Sequence, residues 1–365
     1  MQPEPERPVT PAAATGRTVA PAGALLRPLV RWESALVLLL IGTVILSTQL
    51  SANFTRSGNL FYIGLNVGEI AIMALPLSLI VITGEIDLSV ASTLGLSGTI
   101  MAWLFAHGLG VWPAMVVALL FGVVTGAFNG MLVTRVGLPS LAVTIGTLTL
   151  YRGIAQIIEP NNTIGGFPTY LTNIGIIPIP HTQIPYSVAF FAFFAIVVGV
   201  VLHATPLGRS IFAIGANQET AFYSGIRVKR IKFCLFVLSG VLCSLAGILW
   251  TLRFGAARYD DGTGLELYVV TIVLLGGVSI FGGRGTIIGV VLAVAILATL
   301  EEGLTLAQMP SQNQNIVVGG LLIASVIIPN IGELYGRGRD RARRFGAGAA
   351  GSAAATAAEA PELAP

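Results

Sequence analysis

The sequence is poor in charge, cysteine and histidine, and it lacks the short motifs that bind nucleotides or cleave bonds. Only 10% of its residues are Asp, Glu, Lys or Arg, against about 25% in an ordinary soluble domain. That shortage excludes a water-soluble fold, whose surface needs far more polar cover. The two cysteines, Cys234 and Cys243, stand nine residues apart in one apolar run. On a helix they would be about 13 Å apart along the axis, too far to bridge, so no disulfide framework exists. His107, His181 and His203 are scattered without metal-ligand spacing. No Gly-Lys dipeptide occurs, which removes a Walker A loop, and the Gly282–Gly289 stretch fails the Gly-x-Gly-x-x-Gly pattern at Ile288. Neither Gly-x-Ser-x-Gly nor His-Glu-x-x-His is present.

What remains is apolar: 54% of 365 residues, with 44 glycines and a mean hydropathy of +0.84. A spanning helix needs about 20 mostly apolar residues. Ten runs qualify: 34–50, 61–82, 90–106, 111–133, 138–158, 185–203, 233–252, 266–281, 285–300 and 316–331. The reading is an all-α polytopic membrane protein of about ten transmembrane helices, some of them broken or re-entrant. With both termini in the cytoplasm, sixteen of the twenty Lys and Arg residues fall inside, as the positive-inside rule requires.

Residues 1–31 are Pro/Ala/Thr-rich and are expected to be a disordered cytoplasmic segment. Residues 32–332 form the transmembrane domain, and 34–50 is read as an uncleaved anchor. Residues 333–365 are basic and then Ala/Gly-rich. The Arg337–Arg344 cluster fits lipid headgroups and not nucleic acid.

Two polar loops stand out. The first, 159–184, holds Asn161, Asn162 and several Pro and Gly residues, and is a lid, a docking surface or a plain connector. The second, 204–232, is placed in the cytoplasm. Asn217 is a fair N-cap for a short helix with Thr220 and Ala221 in its first turn, and Gly225 suits its stop. This is read as a docking element for another chain.

Inside the spans, ionisable groups are functional candidates. Glu69 lies mid-run, one turn after Asn66. Asp87, in Thr83-Gly84-Glu85-Ile86-Asp87-Leu88-Ser89, is placed to cap the following helix. Asn66, Glu69, Asn129 and Asp87 are the expected polar groups of a translocation path. Gly122, Gly126 and Gly130 form a packing stripe along one helix face. Thr83-Gly84-Glu85-Ile86-Asp87-Leu88 and Thr263-Gly264-Leu265-Glu266-Leu267 each precede an apolar run on opposite sides of the membrane, which would suit an inverted repeat.

Three stretches, TGEIDLSVAS (83–92), AIGANQETAFYSGI (213–226) and VLLGGVSIFGGRGTIIG (273–289), with SLAGIL (244–249), carry a likeness. Over roughly 60–330 the chain resembles the permease subunits of bacterial ATP-binding-cassette monosaccharide importers of the ribose/xylose/rhamnose branch. The resemblance implies an inner-membrane permease that catalyses nothing and holds no cofactor of its own. ATP and Mg would sit on a separate ATPase subunit. It also implies a second permease copy and a periplasmic sugar-binding protein. Gly215, Asn217, Glu219, Thr220, Ala221 and Gly225 would form the coupling helix seated on the ATPase, with Ala221 facing it. Glu85 and the pair Glu301–Glu302 depart from the pattern of this branch. Rhamnose is the leading substrate, followed by ribose, xylose and an autoinducer-2-type furanosyl compound. The alternatives are an ion-coupled carrier using Glu69 and an intramembrane enzyme.

Overall fold

The computed structural model describes residues 32–56, 58–160 and 163–327. The expectations for 1–31, 328–365, Asn161 and Asn162 lie outside the described residues. Twelve helices have both ends described: α1 Trp32–Leu50, α2 Asn59–Ile82, α3 Val90–Ala106, α4 Val111–Met131, α5 Ser140–Ile158, α6 Thr169–Ile176, α7 Tyr186–Ala204, α8 Pro206–Ala216, α9 Gln218–Tyr223, α10 Val228–Phe254, α11 Leu265–Leu275 and α12 Ile287–Leu306. A further helix, α13, covers 311–327. One two-residue ladder, β1 (Ile164–Gly165) against β2 (Ala256–Ala257), is antiparallel.

Seven described helices are long and apolar enough to cross a membrane, and α3 and α11 are shorter apolar helices. With α13 they account for the ten apolar runs read from the sequence. The boundaries moved where glycine acts. The run 266–281 was taken as one span, yet α11 stops at Leu275 and 276–286 is loop. Gly277, Gly282 and Gly283 all have positive φ, a conformation that ends a helix and that L side chains resist.

The order of elements repeats. A long helix (α2), a break (83–89) and three helices (α3, α4, α5) are followed later by a long helix (α10), a break (255–264) and three more (α11, α12, α13). The halves exchange partners: α10 packs on α3 and α4, α2 packs on α11 and α12, and α2 meets α10 in the centre. The two long helices run in opposite senses. The C-terminus of α2 meets Gly215 and Gly283, whereas that of α10 meets α6 and the ladder. This is the architecture of the inverted repeat.

The glycine stripe explains the closest packing. A Cβ on Gly122 or Gly126 would collide with α10, at Gly240 and Phe236 respectively, and one on Gly130 would be crowded by Phe233. The neighbour of the stripe is α10 of the same chain. α2 is almost wholly buried from Val67 to Ile82. The outer faces of α1, α5 and α7 are apolar and exposed, with Leu38, Ile145 and Ile196 among them, as lipid-facing helices require.

Candidate functional site

Polar side chains gather in three places. The first is the surface element α8–α9, joined by Asn217. Thr205 caps α8 by accepting the Gly208 N–H, and the Asn217 side chain accepts the Thr220 N–H at 2.8 Å to cap α9. Gly225, with φ +82°, turns the chain out of α9. The cap and the stop stand where the sequence put them. Ala221 does not face outward as expected. It is 3% exposed and packs on Ile214 and Val228, because a six-residue helix turned onto the body must bury its small apolar side. Outward stand Glu219, Phe222 and Tyr223. The two rings lie edge to face at 5.6 Å, and a shallow groove of about 300 Å³ is lined by Gln218, Glu219, Phe222, Tyr223, Val228 and Lys229. Gly215 sits at a crossing of three backbones, where a Cβ would collide with Ile82 O and Gly283 N.

The second place joins α2, α10, α11 and α12. Arg253 donates to Glu69 Oε2 at 3.3 Å and to Asn66 Oδ1 at 2.6 Å, and Asn66 donates in turn to Glu302 Oε2 at 3.2 Å. The neighbouring Glu301 accepts from the Tyr268 hydroxyl at 2.7 Å. Glu69 is 1% exposed. The guanidinium also lies over the rings of Trp250 and Phe254, at 5.9 and 5.0 Å, a cation–π arrangement. The sequence supplied Asn66 and Glu69 but did not single out Arg253, and set Glu301–Glu302 apart only as a departure from the pattern of the branch. Carboxylates in an otherwise apolar run were the signal that could have joined them.

The third place is buried where the 83–89 break meets α4, α5 and α10. Asp87 Oδ1 accepts from Ser89 N and Ser89 Oγ, and Oδ2 accepts from Ser239 Oγ at 2.9 Å. Asn129 donates to Ser89 Oγ, and the Tyr151 hydroxyl donates to Asn129 Oδ1. Asp87 therefore does not cap α3 as expected. Ser89 is the N-cap residue, and Asp87 holds it from two positions before. Of the four expected path residues, Asn66 and Glu69 share one network and Asp87 and Asn129 another. No described hydrogen bond links the two.

The loop 159–184 is folded down onto α10. Phe167 and Leu171 are buried with Leu252 and Ala257. A Cβ on Gly175 of α6 would lie 2.5 Å from Arg253 Cα, so α6 covers the end of α10 that carries Arg253. At the start of the loop, Glu159 Oε1 accepts the Ile164 N–H at 2.9 Å. Its Oε2 is buried without a partner. Burial pushes this carboxyl up to about 7, and nearby Asp261 pushes the same way.

A family profile described as the branched-chain amino acid transport system / permease component matches residues 59–326. The chain belongs to this permease family. Among its relatives, the D-allose transport system permease protein of Escherichia coli is 37% identical over 252 residues, covering 69% of this chain and 77% of that one. The autoinducer 2 import system permease protein of Salmonella typhimurium is 32% identical over 302 residues, covering 81% and 90%. Its counterpart in Photorhabdus laumondii is 32% identical over 320 residues, covering 86% and 96%. No solved structure matches the chain. The match spans the inverted repeat and α8–α9 together, so the resemblance read from 83–92, 213–226 and 273–289 holds. The protein is a multi-pass membrane permease of the sugar-importer type.

Proposed function

We infer that this permease is the translocating subunit of an ATP-binding-cassette importer for a small polyhydroxylated substrate. In this reading α8–α9 docks a separate ATPase subunit, which holds ATP and Mg, and a periplasmic binding protein delivers the substrate. A second permease copy completes the path, and both termini lie in the cytoplasm. The observation that carries the reading is the pre-shaped α8–α9 element, which presents Phe222 and Tyr223 beside a groove in a chain without a nucleotide motif. Exposed aromatic side chains on a capped helix are anchors for a protein partner.

The polar networks supply the path. A sugar needs both donors and acceptors, and Asn66, Glu69, Arg253 and Glu302 offer both within one set of contacts. Asp87 and Asn129 form a second such set deeper among the helices. Rhamnose heads the substrates to be tried on the sequence resemblance. Ribose and xylose follow, and the names of the relatives add D-allose and autoinducer 2.

The test is uptake into vesicles holding the permease and its ATPase, with the binding protein outside and ATP inside. Import of one of these five compounds that needs ATP is the expected result. Uptake by the permease alone, driven by a proton or sodium gradient, would overturn the reading in favour of an ion-coupled carrier. The pairing of Glu69 with Arg253 argues against that carrier, since the carboxylate it would use already holds a counter-ion.

A further inference from the structure

α10 starts with three basic residues, and they are not alike. Lys229 and Arg230 are exposed, but Lys232 is only 5% exposed. Its ammonium reaches Glu85 Oε1 at 2.6 Å and also donates to Gln218 Oε1. Glu85 belongs to the 83–89 break that follows α2, and Gln218 is the first residue of α9. One buried cation therefore ties the docking helix, the start of α10 and the break together. The same break is held a second time. Two residues beyond Glu85, Asp87 accepts from Ser239, which lies seven residues, two turns, beyond Lys232 on the same face of α10. At the start of the same break, the Gly283 N–H donates to Ile82 O at 2.8 Å, at the crossing that Gly215 makes possible.

The geometry points to Lys232 as a positioning residue for coupling: through Glu85 it converts displacement of α9 into displacement of the 83–89 break, and so of the Asp87 network among the helices. The inference rests on α9 being the ATPase dock. Without the cation, α9 can still fold on its own Asn217 cap and still present Phe222 and Tyr223, but its movement reaches the break only through the backbone crossing and, indirectly, through α10 by way of Ser239 and Asp87. Loss of the pair should therefore spare assembly and ATP turnover while reducing the sugar moved per ATP.

The experiment uses the full importer in vesicles, with radiolabelled rhamnose, ribose, xylose, D-allose and autoinducer 2. Uptake and ATP hydrolysis are read on the same vesicles, and thermal stability on the same proteins. Lys232→Met and Glu85→Gln should each keep the ATPase bound and lower the substrate-to-ATP ratio at least tenfold. The exchange Glu85→Lys with Lys232→Glu should recover the ratio to within threefold of the original chain. A merely structural pair would lower stability, uptake and hydrolysis together and leave the ratio unchanged. Either single variant holding the ratio within twofold of the original overturns the inference. If Lys232→Met does not fold, Glu85→Gln decides by the same criterion, because its change keeps the shape of the side chain. An ATPase that fails to bind even the unaltered permease would instead remove the docking assignment itself.

Discussion

Gly126 on α4 and Phe236 on α10 meet through their backbones, so that a Cβ on Gly126 would stand 2.3 Å from the Phe236 carbonyl oxygen. No side chain is there to move aside. Gly126→Val should cost about 3 kcal/mol, the upper end of ordinary overpacking, and lower the melting temperature of the detergent-purified protein. Gly146 on α5 supplies the contrast, since nothing lies within 4 Å of its Cβ position. Gly146→Ala should raise stability by about 0.5–1 kcal/mol through helix propensity and a less flexible unfolded chain. Equal melting temperatures for the two variants would show that the stripe is not a tight interface.

Arg253 and Glu69 are both largely buried, with side chains 12% and 1% exposed. Removing one partner strands a charge, which costs about 3–5 kcal/mol, whereas replacing both with apolar groups of similar volume is often neutral. Arg253→Met should therefore destabilise strongly. Arg253→Met combined with Glu69→Met should recover most of the melting temperature yet remain without substrate uptake, because the polar contacts of Asn66 and Glu302 have lost their centre. Uptake at the original rate in the double variant would remove this network from the path.

These two sites show what a single sequence reveals. Gly122, Gly126 and Gly130 were legible because a four-residue spacing falls on one helix face, and the seven long spans were legible as apolar runs of sufficient length. The Asn217 cap was legible because capping is local. Arg253 and Asn66 were not joined, because they are 187 residues apart and only the crossing of α2 and α10 brings them together. The direction of Ala221 was lost for another reason. Six residues of helix give too little periodicity to tell its buried side from its exposed one. The stretch 276–281 reads as the end of a membrane span because its residues are mostly apolar, and the positive φ of Gly277 turns it into loop.

Glu159 makes stability fall with rising pH. Its carboxyl titrates at about 7 in the folded protein, against an ordinary value of 4.5, chiefly because burial disfavours the charged form. Between those two values the unfolded chain has already lost the proton that the folded chain still holds. Folding is therefore progressively less favourable from about pH 4.5 to about pH 7, and unchanging above that. Proteolysis of the 159–166 region should show this slope, with faster cutting at pH 8 than at pH 5 after correction for the protease's own pH profile. Glu159→Gln, neutral throughout, should flatten it and protect the segment at pH 8. A variant with the same slope as the original chain would assign the effect to another group.

The docking surface gives the last prediction, and burial sets its sign at each position. Phe222 and Tyr223 are 62% and 79% exposed, so trimming them disturbs no packing within the chain beyond their own edge-to-face contact. Phe222→Ala and Tyr223→Ala should leave the melting temperature of the isolated permease unchanged. If the rings are anchors, each should weaken ATPase binding by at least about 2 kcal/mol, roughly 30-fold. Glu219 is also exposed, but a rim charge of this kind contributes only about 0–1 kcal/mol, so Glu219→Ala should shift affinity little. Ala221→Trp acts differently. Its site is closed by Ile214 and Val228, and the indole would push α9 off the body of the permease. That variant should lower the melting temperature and lose the ATPase together. The measurement is titration of the ATPase onto permease held in lipid nanodiscs, beside thermal unfolding of each variant. Unchanged affinity in the Phe222→Ala, Tyr223→Ala double variant would place the ATPase elsewhere on the chain and leave α9 as a connector between α8 and α10.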